Sequence, residues 1–327
     1  MPILLLIDAN ALIHRCFHAL PPFTTKDDRP SGALYGLASV LLKIFRANSQ
    51  NHISPIGPMS PISSMSLIGP MSPIGPMSPI SPMGPIGLMG QPDYAAAFFD
   101  RPEPTFRKEM YEEYKAHRPK APDELVSQII EAHHLFEKFG IKTFEMPGVE
   151  ADDLIGTAAE KFSENPNLKI IILTGDADAF QLVKNDKIFV ETFKKGISDT
   201  MIYNEEEVVK KFGVHPSQLT DYKGLVGDPS DNIKGVSGIG PKTAVQIIQK
   251  YDSIENFLEN GKNEKQYEKI NASREIALLS KKLATIRRDA PLEIKNIEEL
   301  KYGGLPKEKL LAYFEEFGFQ SLIKRIS

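Results

Sequence analysis

Three apolar runs in this chain each lead into an aspartate. Residues 3–7 stop at Asp8, residues 94–99 stop at Asp100, and Lys169–Leu173 passes through Thr174 and Gly175 to Asp176, with Asp178 two residues further on. Runs this apolar do not suit a surface, and they are too short to span a membrane, so they read as buried strands. Segments 11–20, 32–45, 125–139 and 150–162 carry helical patterns, and 141–144 reads as another short strand. In 32–45 the stripe is Leu34, Leu37, Leu41, Leu42 and Phe45. Strands alternating with helices imply an α/β fold, a mainly parallel sheet flanked by helices. In such sheets ligands sit beyond the carboxyl ends of the strands, where these aspartates fall.

From about residue 205 the pattern changes to short helices, at 206–212, 215–222, 241–251 and 253–258, and strand signals become scarce. We therefore expect two units, 1–204 and 205–327, which suits a length of 327 residues. The net charge of −4 argues against a polybasic binder held by bulk charge. The single cysteine, Cys16, excludes an intramolecular disulfide and a multi-cysteine zinc site, which fits a cytoplasmic location. Residues 1–7 lack a basic flank and are broken by Asp8, so they do not read as a signal peptide.

Residues 48–91 contain no Asp, Glu, Lys or Arg, and they hold 9 of the 25 prolines and 6 of the 10 methionines. Met recurs every six residues from Met59 to Met89, and every third residue from Gly57 to Gly90 is Gly or Ser. Serine at half of those positions argues against a collagen triple helix, whose axis admits only glycine. The segment reads as a low-complexity surface excursion without order of its own, set inside an ordinary loop. A chain lacking 48–91 is expected to fold and to keep its activity; loss of either, measured by circular dichroism and an activity assay, would overturn this reading.

An isolated carboxylate is usually a solvated surface charge. Here the placement argues otherwise. Asp8, Asp100, Asp176 and Asp178 gather at strand ends, and Glu150, Asp152 and Asp153 open a helix, with Glu150 and Asp153 three apart on one face. Capping alone accounts for one of these three. So many carboxylates repel one another unless cations neutralise them, and oxygen ligands without a Cys or His set select Mg²⁺ or Mn²⁺ over zinc. His14 and His18, four apart on a helix, lack a third ligand and read as structural. Two divalent ions about 4 Å apart are the standard device for in-line displacement at a phosphodiester, so phosphodiester hydrolysis is the natural inference.

A second signal is the glycine-rich stretch 224–244. Gly238 and Gly240 leave amides uncovered just before a helix that begins with Pro241, and Lys242 adds a positive charge at a helix end suited to phosphate. Spacing alone leaves open a plain helix–helix turn. A Walker loop is excluded because Lys242 follows Pro241, and no dinucleotide fingerprint fits Gly235, Gly238 and Gly240.

These residues match a known family. Gly148-Val149-Glu150-Ala151-Asp152-Asp153, Thr174-Gly175-Asp176-Ala177-Asp178 with Gln181-Leu182, and Gly227-Asp228-Pro229-Ser230-Asp231-Asn232 followed by 235–244 are its specific motifs. On them the chain resembles the 5′-3′ exonuclease domain of bacterial DNA polymerase I, in the flap endonuclease superfamily, over nearly everything outside 48–91. The resemblance implies a PIN-like nuclease core followed by a helix-three-turn-helix module. It implies a metal cluster of Asp8, Asp100, Glu150, Asp152, Asp153, Asp176, Asp178, Asp228 and Asp231, holding two or more Mg²⁺ or Mn²⁺ ions. Segment 106–118 looks like the family's arch over a single-stranded 5′ end, with Lys115 and Arg107 facing the scissile phosphate.

The same likeness assigns Arg15, Arg118, Gly235, Gly238, Gly240, Lys242 and Thr243 to DNA contact, and a K⁺ ion to the helix-three-turn-helix. The expected substrate is DNA with a 5′ flap, nick or RNA primer, cut during replication and repair, with no membrane partner. A polymerase domain is an expected partner, in cis or in trans, because the chain reads either as a stand-alone nuclease or as one cut after its first domain. Ala9 and Ala177 depart from the family, which usually has Gly after the first Asp and a basic residue between the paired aspartates; neither change removes a ligand. Two rival readings stand beside this one: a PIN-type ribonuclease, which needs no helix-three-turn-helix, and a non-catalytic module that binds branched DNA.

Overall fold

The computed structural model describes residues 1–46, 91–197 and 199–326; apart from Gln91, the 48–91 repeat lies outside them. Six strands form one sheet: β1 (Ile3–Asp8), β2 (Tyr94–Phe98), β3 (Lys142–Phe144), β4 (Lys169–Leu173), β5 (Ile188–Lys195) and β6 (Asp199–Tyr203). Their spatial order is β3-β2-β1-β4-β5-β6, and all neighbours are parallel except β5 and β6. The β5–β6 pair was not foreseen, because the apolar start of 188–195 gives way to a charged end and carries no clear alternation.

Around the sheet lie α1 (Ala9–Ala19), α2 (Gly32–Arg46), α3 (Phe106–Met110), α4 (Asp123–Lys138) and α5 (Ala151–Ser163). Then come α6 (Glu205–Phe212), α7 (Leu219–Val226), α8 (Pro241–Tyr251), α9 (Ile254–Asn260), α10 (Tyr267–Ala272), α11 (Arg274–Ala284), α12 (Lys307–Glu316) and α13 (Gln320–Ile326). Among the described residues no helix is long and apolar enough to cross a membrane.

The strands are apolar throughout because both faces of the sheet are covered. Alternation along each strand divides the core in two. Leu4, Leu6, Ala96, Phe98, Ile170 and Ile172 point to a cluster with α5 and the helices after residue 205. Ile3, Leu5, Ile7, Ala95, Ala97, Phe99, Ile171 and Leu173 point to the other face, against α1, α2 and α4. The last two helices belong to that second cluster: Leu310, Phe314, Phe319 and Leu322 pack there, on the opposite side of the sheet from α7–α9.

Asp93 fixes the entry to β2. Its Oδ2 accepts from the Ile3 amide at 2.8 Å, its amide donates to the Ile3 carbonyl at 3.0 Å, and its carbonyl accepts from the Tyr302 amide at 2.8 Å. With β2 held there, Phe98 lies beside Asp8, while Leu173 lies beside Ile7 on the other side of β1. Successive strands are added on one side of β1 (β2, β3) and then on the other (β4, β5), all parallel, so the carboxyl ends of β1, β2 and β4 open side by side at a topological switch point.

Candidate functional site

Asp8 ends β1 and caps α1, accepting from the Ala11 amide at 2.9 Å through Oδ1 and from the Thr174 hydroxyl at 2.7 Å through Oδ2. Asp100 lies just beyond β2, and its Oδ1 accepts from the Ala151 amide at 2.8 Å in the first turn of α5. Asp176 begins the short 3₁₀ helix Ala177–Leu182 and accepts from the Asp178 amide at 2.8 Å. Asp152, also in the first turn of α5, accepts no hydrogen bond from any described residue. These four carboxylates line a cavity of about 190 Å³, together with Asn10, His14, Lys115, Arg118 and Glu150. A larger opening of about 460 Å³ between α4 and β3, edged by His133, His134 and Glu137, has no such convergence.

No described cation pairs with any of these four. Burial raises the Asp8 carboxyl from 3.8 to about 7, with Asp100 and Asp176 adding repulsion against the hydrogen bonds from Ala11 and Thr174. Burial pushes Asp152 well above the ordinary range, followed by repulsion from Asp176, Asp8 and Asp100. Asp100 and Asp176 are raised as well, mainly by loss of water, although part of Asp100 stays open to solvent. Mutual repulsion in a low dielectric is the expected cause of this pattern.

The other five candidate carboxylates are each balanced by a base. Glu150 meets Lys115 at 2.9 Å, and Asp231 meets Arg118 at 2.6 Å and Lys115 at 3.9 Å. The buried Tyr114 hydroxyl lies between the two acids, 3.0 Å from Asp231 and 3.3 Å from Glu150. Asp178 and Asp228 share the Lys223 ammonium, which is 2.6 Å from Asp228. Burial alone would raise Asp228, but Lys223 and Ser230 outweigh it and hold the carboxyl below its usual value.

Arg107 and Asp153 are not brought to the cavity. Their side chains, 3% and 0% exposed, form a two-pronged ion pair with both contacts at 2.7 Å. The Arg107 guanidinium also donates to the carbonyls of Leu283 at 2.9 Å and Thr285 at 2.8 Å. The resemblance led us to expect Arg107 at the scissile phosphate and Asp153 on a metal; here each neutralises the other. Arg15 likewise lies outside the cavity, donating to the Gly196 carbonyl at 2.9 Å.

The donor set suits a hard divalent cation: four oxygen-only carboxylates whose repulsion a cation would relieve. As they stand, no three His, Cys, Asp or Glu side chains among the described residues are gathered closely enough to hold one ion. The fit therefore rests on charge and donor chemistry.

Beyond α7 the chain turns through Gly227 (φ +81°), Gly235 (+63°) and Gly238 (+75°) into α8. A Cβ on Gly235 would come within 2.3 Å of the Gly227 nitrogen, because two backbone stretches touch there. Gly235→Ala is therefore expected to cost at least about 2 kcal/mol, read as a lower urea midpoint. Gly235 thus shapes the turn, whereas Gly238, Gly240 and Lys242 are exposed and Thr243 is half-buried.

Sequence reasoning missed Lys223, Tyr114, Thr174 and Asn10, whose roles depend on tertiary pairing. It also read His14 as structural, yet His14 lines the cavity. Its spacing four residues after Asn10 on α1 was the available signal, since such residues share a helix face. Burial, His18 and Arg118 hold its imidazole below the ordinary value.

Comparison with known proteins agrees with this architecture. Residues 88–213 match the family model described as 5′-3′ exonuclease, N-terminal resolvase-like domain, and residues 214–308 match the one described as 5′-3′ exonuclease, C-terminal SAM fold. DNA polymerase I of Caldicellulosiruptor bescii is 36% identical over 328 residues, covering 99% of this chain and 33% of that protein. The chain thus spans about a third of the length of such relatives. The 5′-3′ exonuclease of Aquifex aeolicus is 32% identical over 326 residues, covering 100% of this chain and 96% of that protein.

Among solved structures, T5 5′-exonuclease with bound zinc aligns with a TM-score of 0.61 at 18% identity, over 86% of this chain and 89% of that one. The catalytic core of Rad2 in complex with DNA substrate gives 0.52 at 16%, over 97% and 88%. These two likenesses concern the fold. On the two family models and the full-length relative, the chain belongs to the 5′-3′ exonuclease family.

Proposed function

We propose that the chain is a metal-dependent, structure-specific 5′ nuclease that hydrolyses phosphodiester bonds in DNA carrying a 5′ flap, nick or RNA primer. The observation that carries this reading is the group of four carboxylates without a cation, lining one cavity with Lys115 and Arg118. Asp8, Asp100, Asp152 and Asp176 would hold the first divalent cation, Mg²⁺ or Mn²⁺, and Glu150, Asp178, Asp228 and Asp231 would supply ligands for a second. When bound, such ions activate water and neutralise charge on the phosphate. Lys115 and Arg118 supply fixed positive charge toward the same cavity, suited to a developing oxyanion. Arg107 and Asp153 support the site from behind by holding α3 against the start of α5.

In this reading the exposed amides of Gly238 and Gly240, with Lys242 and Thr243, grip the duplex by its backbone, which positions DNA without reading its sequence. The turn would hold K⁺, and the protein would work in the cytoplasm beside a polymerase domain, in cis or in trans. Residues 1–204 would cut and residues 205–327 would hold DNA. The full-length relative named 5′-3′ exonuclease and the metal and DNA found with the two structural neighbours support the proposal.

A labelled 5′-flap duplex with Mg²⁺ is expected to be cleaved near its junction, and single-stranded RNA of the same sequence is not. Lys115→Ala is expected to lower kcat by about 100-fold or more while binding changes little. No cleavage by the wild type, or full activity with Asp176→Ala and Asp178→Ala together, would sink the mechanism.

A further inference from the structure

Lys223 belongs to none of the motifs above, yet it stands where two acids require a cation. It projects from α7 with its side chain only 13% exposed, and its ammonium joins Asp178, beyond β4, to Asp228, in the turn after α7. Two carboxylates gathered on one ammonium would repel each other without it. Asp228 has further anchors: the Ser230 amide and hydroxyl donate to its Oδ1 at 2.9 and 2.6 Å. Lys223 is the member of this group on a flexible four-carbon stem, and its charge is a compact point that a metal ion can replace. None of the inner four carboxylates forms an ion pair with a described cation; Lys223 acts on Asp176, and Lys115 on Asp100 and Asp152, only from longer range.

We propose that Lys223 is a positioning residue acting as an exchangeable counter-cation: it holds Asp178 and Asp228 together, and a divalent ion occupies that outer position only by displacing its ammonium. This rests on the metal reading of the cavity given above. It makes the two cation positions unequal. The first ion enters among Asp8, Asp100, Asp152 and Asp176, none of them paired to an ammonium, and the second enters against a resident charge.

The test is titration of the full chain with Mn²⁺ alone, followed by electron paramagnetic resonance and calorimetry. The wild type is expected to show one tight and one weak class of site. Lys223→Met should tighten the weak class by about tenfold or more and shift the tight one, which feels Lys223 only from longer range through Asp176, by far less, whereas Lys223→Arg keeps the weak class weak. A weak class that is unchanged or weaker in Lys223→Met overturns the proposal. A purely structural role would instead weaken both classes, and melting without metal checks the fold of each variant. Should Lys223→Met not fold, Lys223→Gln removes the charge but keeps a donor and is read in the same way. Absence of any Mn²⁺ binding by the wild type would remove the metal reading and this proposal together. Tight binding that is identical in all variants, with no change in a weak class, removes only the role of Lys223.

Discussion

Asp152→Asn is expected to reduce cleavage by at least about 1,000-fold and to make the metal-free protein more stable. Both effects have the same origin. Asp152 lies among Asp8, Asp100 and Asp176, its carboxyl is raised by burial and by those three neighbours, and no described residue donates a hydrogen bond to it. An amide of the same shape loses no hydrogen bond and removes one repelling charge. The metal-free gain should be about 1–3 kcal/mol, seen as a higher melting temperature in EDTA. Saturating Mg²⁺ should reverse the order, because the wild type then gains more from the ion.

The dependence on pH has a definite sign. Asp8 is raised to about 7 and Asp152 is raised well above the ordinary carboxylate range, so between the unfolded value near 4 and about 7 the folded state binds more protons than the unfolded one. Metal-free stability is therefore full at the acid end of that window and falls as pH rises through it. Melts in EDTA at pH 5.5 and pH 8 should show the wild type losing stability and Asp152→Asn losing less. Equal loss in both would mean that the four carboxylates do not act as one charged group.

The second large effect concerns Arg107. Arg107→Ala strands the Asp153 carboxylate, which is 0% exposed, without its counter-charge, at a cost of about 3–5 kcal/mol in urea denaturation. The pair Arg107→Met with Asp153→Asn should recover at least half of that loss, since neither charge remains and the Asn oxygen can still accept from the Arg287 amide. At low temperature, where Arg107→Ala is still folded, its kcat should fall far less than that of Lys115→Ala. An unchanged urea midpoint with a kcat as low as in Lys115→Ala would return Arg107 to the phosphate.

These cases show what can be read from one chain. Asp8, Asp100 and Asp176 were legible because an apolar run that stops at a carboxylate states both burial and position. The start of α5 was only half legible. Spacing of three does place Glu150 and Asp153 on one face, and both do approach Arg107, at 3.6 and 2.7 Å. Each residue turns about 100° around a helix, so Asp152 points into the cavity while Asp153 does not; Glu150, the N-cap, reaches both Arg107 and the cavity. No periodicity tells which of the two faces meets the substrate side. Lys223 was illegible for a different reason: its partners come from beyond β4 and from the turn after α7, and only folding makes them neighbours.

The hydrogen bonds around Asp93 have a consequence for how such a chain can change in evolution or by design. Because Ile3 and Tyr302 seat Asp93 directly, the register of β2 owes nothing to the length of chain that arrives there from Arg46. Loop closure grows only logarithmically with length, about 0.6 kcal/mol for each doubling. A tag, a reporter or a second folded module spliced between Arg46 and Asp93 is therefore expected to leave the register of the sheet that carries the acids in place.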